Sequence, residues 1–166
     1  MVYKVPNDSE ILRNLKSTND FELFELEFIK VAVDQQEAQA IVLMVANNKV
    51  VGFDLNSIEG TMFSFVKSGC FENPHIKNIY QLYIETMNLV KFELDKIVVE
   101  AKSGDMIYSR IYWKDNKDRV ISQLCSVGDS LVLSEMCDIP AFVTKHALEQ
   151  LDDYSHFHEE FQEYEE

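Results

Sequence analysis

Two carboxylates in this chain stand at places where acid–metal chemistry and plain helix capping make the same demand. Glu59 lies in "NSIEGTMFSFVKSG" (56–69) and Asp129 in "CSVGDSLVLSEMCDIPAFVT" (125–144), each at the start of an expected helix. Metal-dependent phosphodiester hydrolysis needs oxygen ligands that hold Mg²⁺ or Mn²⁺ and leave several waters in place, so a Glu–Asp pair could serve. Each acid also has a sufficient structural role. Asn56 followed three residues later by Glu59 matches a capping box, and Asp129 reads as the N-cap of a short helix. Spacing alone leaves both readings open. His75, in "NPHIKN", offers a loop base or phosphate contact, or simply a polar loop residue. "HFHEE" (156–160) puts two imidazoles beside two carboxylates, a set that binds a transition metal or, in a polar terminus, stays solvated.

The elements that must position these groups can be read from pattern. "FELEFIKVAV" (24–33), "AIVLMVA" (40–46) and "KVVGFDL" (49–55) are rich in β-branched and aromatic residues, with Asn47-Asn48 as a tight turn. They predict a three-stranded antiparallel meander. Ile58, Met62, Phe65 and Val66 recur at helical spacing and predict a helix over about 57–68, ending at Gly69. Ile79, Leu82, Tyr83, Thr86, Leu89 and Val90 predict a second amphipathic helix. Strands follow at 95–101, 106–113 and about 119–124, then a helix from Asp129 to Met136, a buried strand at 139–143, and a last helix capped by Thr144. A short helix after Ser9 is also expected. Strands and helices interleave without a βαβ rhythm, so the predicted class is α+β: a single domain with a mixed, largely antiparallel sheet flanked by helices. The expected organisation is a polar extension over 1–22, the domain over 23–153 and an acidic tail over 154–166.

Composition narrows the function classes. The 166 residues hold 15 basic and 29 acidic side chains, a net charge of −14. Eight of those acids fall in 149–166, which has no Lys or Arg, so the body is only mildly acidic. No cluster of Lys and Arg announces a phosphate-binding surface, and five glycines leave little room for a backbone phosphate cradle. The acidic terminus would serve solubility or dock on a basic protein partner. Cys70, Cys125 and Cys137 form no Cys-x-x-Cys pair and read as buried reduced thiols. No apolar run approaches the ~20 residues of a membrane span, and "MVYKVPNDSEILRNLK" lacks an apolar export region, so the expected location is the cytoplasm.

From about Glu27 to Asp153 the order of elements and several strings resemble the bifunctional nuclease (BFN) family, whose plant founders are described as cleaving RNA and DNA. "VVGFDLNSIEGTMFSFVKSG" (50–69) is similar to the family's strand, turn, Glu-Gly and apolar helix, with the glutamate and glycine at Glu59 and Gly60. Residues 73–113 look like its Arg-Pro loop, second helix and hairpin. In 125–144, Asp129 and Pro140 fall at positions matching the family's Arg-Pro-Ser-Asp, helix and Pro. The chain departs at Ser126-Val127-Gly128, which replace Arg-Pro-Ser. It departs again over Asn73-Pro74-His75-Ile76-Lys77-Asn78, which replace Arg-Pro-x-x-His-Asp.

The resemblance implies a nuclease acting on RNA or single-stranded DNA, with Glu59 and Asp129 holding a divalent cation (Mg²⁺ or Mn²⁺) and His75 or Lys77 contacting the scissile phosphate. The departures remove an Arg and a His that hydrolysis would use. They imply the alternative, a catalytically silent module of the same fold that binds or oligomerises. Similar proteins form homo-oligomers, and "MIYSRIYW" (106–113) offers an aromatic hairpin face for self-association.

Overall fold

Residues 22–34, 39–69, 78–102 and 106–155 are described by a computed structural model. The expected meander is present as β2 (Glu27–Asp34), β3 (Gln39–Ala46) and β4 (Lys49–Leu55), all antiparallel. Asn47 and Asn48 take φ of 48° and 62°, the left-handed pair a two-residue turn between twisted strands requires. Register sets Val42 opposite Phe53 and Met44 opposite Val51, one buried face of this sheet. Leu43 and Val50 on the other face are buried too, because the chain returns there near its end. Tyr154 N–H donates to the Val50 carbonyl at 2.8 Å, and Lys49 Nζ donates to the Leu148 carbonyl at 2.8 Å and to that of Leu151. Gly52 lets this segment close in: a Cβ there would stand 3.0 Å from both Ile41 and the Tyr154 ring.

A second sheet has the order β1-β8-β5-β6-β7, built from β1 (Leu23–Glu25), β5 (Phe92–Lys102), β6 (Met106–Asp115), β7 (Val120–Cys125) and β8 (Ala141–Thr144). All its pairs are antiparallel except β5 with β8. The fold is therefore α+β with a mixed, largely antiparallel arrangement, as the sequence predicts, though the strands form two sheets. The division falls at Leu26, inside the run expected as one strand. Its buried side chain and its N–H, bonded to the Ala141 carbonyl at 2.8 Å, hold the chain while it passes from one sheet to the other.

Four helices stand among the described residues: α1 (Ser57–Lys67), α2 (Ile79–Leu89), α3 (Val127–Cys137) and α4 (Lys145–Gln150), with N-caps Asn56, Asn78, Ser126 and Thr144. α3 is central, with Leu131, Val132, Leu133 and even Ser130 and Ser134 buried. Its two serines are satisfied locally, donating to the carbonyls of Val127 at 2.7 Å and Ile139 at 2.6 Å. α1 lies against α3 and is tied to it by a Lys67–Glu135 ion pair at 2.6 Å.

The boundaries of α1, α2 and α4 agree with the sequence, while α3 begins earlier, after Ser126 rather than at Asp129, and the buried faces of α1 and α2 differ from those expected. α1 buries Glu59, Gly60 and Phe63 and leaves Ile58 and Phe65 exposed. Gly60 sets this rotation, since a Cβ there would come within 2.8 Å of Ala40. α2 buries Tyr80 and Met87, while Ile79, Leu82, Leu89 and Val90 face outward. Cys125 and Cys137 are free thiols, half-buried rather than fully enclosed. Cys70, the N-terminal segment through residue 21 and the tail beyond Ser155, including "HFHEE", lie outside the described residues.

Candidate functional site

Glu59 is the third residue of α1, and its carboxylate is satisfied twice. Oε2 accepts the Asn56 N–H at 2.9 Å, and Asn56 Oδ1 in return accepts the N–H groups of Ile58 at 3.0 Å and Glu59 at 2.9 Å. The expected capping box is thus formed. Oε1 accepts the hydroxyl of Ser126, the N-cap of α3, at 2.8 Å. Glu59 is only 8% exposed, and a Cβ on Gly128 would lie 2.3 Å from its carboxyl carbon. Its negative charge therefore rests against the first turns of two helices, where the positive ends of both peptide dipoles favour it.

Asp129 is not the N-cap that the sequence suggests. Ser126 takes that place, its Oγ accepting the Asp129 N–H at 3.0 Å, and Asp129 becomes the third residue of α3. With the capping position already filled by a hydroxyl, the carboxylate turns to α2, where Oδ1 accepts the Tyr80 hydroxyl at 2.7 Å. The other oxygen has no hydrogen-bond partner among the described residues. Burial pushes the Tyr80 phenol above its ordinary range, and the bond to Asp129 and the charges of Asp129 and Glu59 add to that. One phenol thus feels both acids, and one serine hydroxyl links the Glu59 carboxylate to the Asp129 backbone N–H.

Tyr80 is placed by a second capping box, which the sequence reading did not use. Asn78 Oδ1 accepts the Gln81 N–H at 2.9 Å while Gln81 Oε1 accepts the Asn78 N–H at 3.0 Å. Beside the cluster, a groove of about 370 Å³ opens between α2 and β7, with Ile79, Tyr80, Tyr83, Gln123, Leu124 and Asp129 on its walls. Tyr83 meets Trp113 edge-to-face at 5.2 Å and donates its hydroxyl to Gln123 Oε1. Cys125 also lines the groove; burial, with the Asp129 charge behind it, pushes its thiol up to about 11, so it is neutral at pH 7.

Of the four residues singled out from sequence, the structure brings Glu59 and Asp129 into one hydrogen-bonded cluster; His75 and Lys77 lie outside the described residues. Ser126, Gly128 and Tyr80 were missed. Ser126 carried a readable signal, since Ser-x-x-Asp at a helix start is a capping pattern. Gly128 and Tyr80 carried none, because their roles depend on partners distant in sequence.

The donors fit a divalent cation only in part. Among the described residues no group of three or more His, Cys, Asp or Glu is placed to hold a metal. Asp129 offers one oxygen without a partner among the described residues, which suits Mg²⁺, an ion often bound through one or two carboxylates plus substrate phosphates. Glu59, with both oxygens engaged, does not fit as a direct ligand in this arrangement. Neither a family model nor a curated protein sequence matches the chain.

Proposed function

We propose that this chain is a nuclease of the bifunctional type, hydrolysing phosphodiester bonds of RNA or single-stranded DNA with a divalent cation, Mg²⁺ or Mn²⁺. The observation that carries the reading is the packing of the first turns of α1 and α3, where Ser126 bonds the Glu59 carboxylate and caps the Asp129 backbone N–H, so that the Asp129 carboxylate stands on the wall of an open groove. Asp129 would hold the cation through its other oxygen. Glu59 acts on the site by fixing Ser126 and, with it, the first turn of α3. When bound, the cation would supply an activated water and offset charge on the phosphate. Tyr80 orients the Asp129 carboxylate by its hydrogen bond and remains a neutral donor at physiological pH. His75 or Lys77 contacts the scissile phosphate in this reading. The protein works in the cytoplasm as a homo-oligomer, and its acidic tail docks on a basic protein. Among the described residues no helix is long and apolar enough to cross a membrane.

The test is cleavage of labelled RNA and single-stranded DNA by the purified protein with Mg²⁺ or Mn²⁺. Asp129→Asn is expected to lower the rate by about a hundredfold or more, the scale of losing a charge-stabilising group. Absence of cleavage, or an Asp129→Asn variant as active as the parent, overturns the proposal.

A second reading, a catalytically silent module that binds or oligomerises, is favoured by the hydrogen bonds that engage both oxygens of Glu59 in helix capping. In that case the acid serves to join α1 to α3. Metal-dependent turnover abolished by Asp129→Asn in a fully folded variant removes this alternative.

A further inference from the structure

The groove between α2 and β7 has a chemistry that phosphodiester hydrolysis does not use. Its rim is apolar and, among the described residues, uncovered, with Ile79 71% and Leu124 62% exposed. Its wall carries two hydrogen-bond acceptors, Asp129 and Gln123, each held in orientation by a phenol: Tyr80 donates to Asp129 Oδ1 and Tyr83 to Gln123 Oε1. Both acceptors keep further lone pairs after accepting one bond. Of the lining residues only Asp129 is a carboxylic acid, and among the described residues no Lys, Arg or His forms an ion pair with it. A carboxylate left in apolar surroundings gains most from a cation that brings its own hydrogen-bond donors.

Without a bridging cation, a phosphate or carboxylate ligand would present lone pairs to lone pairs on this wall. A strongly hydrated ammonium would give up more water than the apolar walls return. A guanidinium is all donor, with five N–H groups and no acceptor, is weakly hydrated, and stacks on aromatic faces. Its three-carbon stem suits an apolar rim, and the net charge of −14 draws basic segments toward the protein. We propose that this groove is a docking site for an arginine side chain of a partner protein, its guanidinium donating to Asp129 and Gln123 between Tyr80 and Tyr83 and its stem lying along Ile79 and Leu124. The proposal goes beyond the cleavage reading and does not depend on it.

The experiment titrates the full chain with a short blocked peptide, Leu-Arg-Leu flanked by glycines, and with its citrulline and lysine counterparts, followed by amide chemical shifts and calorimetry. The arginine peptide is expected to bind about tenfold or more tightly than the neutral citrulline peptide, the scale of one charge-assisted hydrogen bond. Asp129→Asn should reduce arginine binding to the citrulline level. Leu124→Lys, which places a like charge on the rim far from any folding role, should weaken it while leaving the circular dichroism spectrum unchanged. Equal binding of the citrulline peptide overturns the proposal. So does equal binding of the lysine peptide, which would mean only general attraction to an acidic surface. Indifference to Leu124→Lys, or no binding at millimolar peptide, overturns it as well.

Discussion

Glu59 and Asp129 occupy the same position, third in the first turn of a helix, and differ by one methylene. Glutamate is long enough to reach back to the backbone of its own N-cap, so Glu59 closes the Asn56 box and spends its second oxygen on Ser126. Aspartate is one methylene shorter, and among the described residues the Asp129 carboxylate makes no return bond to the Ser126 N–H. Asp129 leaves the cap to Ser126 and faces Tyr80 and the groove, half-exposed. One acid has become part of the scaffold; the other keeps an oxygen for a ligand. Helix position therefore predicts where a carboxylate sits, and side-chain length decides what remains for chemistry.

The contrast can be broken most directly by removing each carboxylate in turn. Glu59→Ala opens the Asn56 box and frees the Ser126 hydroxyl, both on exposed residues, and empties the buried place of the Glu59 side chain, so a loss of about 1–2 kcal/mol is expected in urea denaturation. Asp129→Ala, which strands one phenol beside an open groove, should cost about 1 kcal/mol or less. Equal losses would mean that the two acids play the same part.

An effect of similar size comes from Gly128→Ala. The helical preference of alanine favours this change by about 1 kcal/mol. The new methyl nevertheless meets the Glu59 carboxyl group, which could retreat only by giving up both its bonds, so a net loss of about 1–2 kcal/mol is expected. In a Glu59→Ala background the same substitution should become neutral or stabilising, a coupling that a double-mutant cycle would read directly. Simple additivity would contradict the packing of Glu59 on α3.

The smallest effect lies in the alkaline limb of stability. The Tyr80 phenol is raised above its ordinary value of 10.0 in the folded chain, by burial first and then by Asp129. The folded state thus holds a proton that the unfolded state releases. This contribution is fully present below pH 10 and declines as pH climbs toward the folded value. Tyr80→Phe should flatten that decline, and Asp129→Asn should move one tyrosinate transition at 295 nm to lower pH. An unchanged absorbance titration in Asp129→Asn would show that the carboxylate does not govern this phenol.

What the sequence made legible is chemistry completed within a few residues. The Asn56–Glu59 box, the Asn47-Asn48 turn and the Thr144 cap each involve neighbours along the chain, and each stands as expected. The faces of α1 and α2 were not legible in the same way. Ile58 and Phe65 follow a helical period, yet which side turns inward was settled by Gly60 meeting Ala40 and by Glu59 meeting Gly128. The assignment of the Asp129 cap failed because two candidates, Ser126 and Asp129, lay three residues apart, and the hydroxyl won by also serving Glu59. The separation into two sheets at Leu26 depended on Ala141, far along the chain. Contacts between distant residues leave no local period to read.

β8 sits between β1 and β5, pairing Leu23 with Thr144 on one side and Ile97 with Ala141 on the other. During synthesis the first strand of this sheet consequently waits for almost the last. Until residues 141–144 leave the ribosome, β1 has no neighbour in this sheet and one hydrogen-bonding edge of β5 stays open, so completion of the sheet is coupled to completion of the domain.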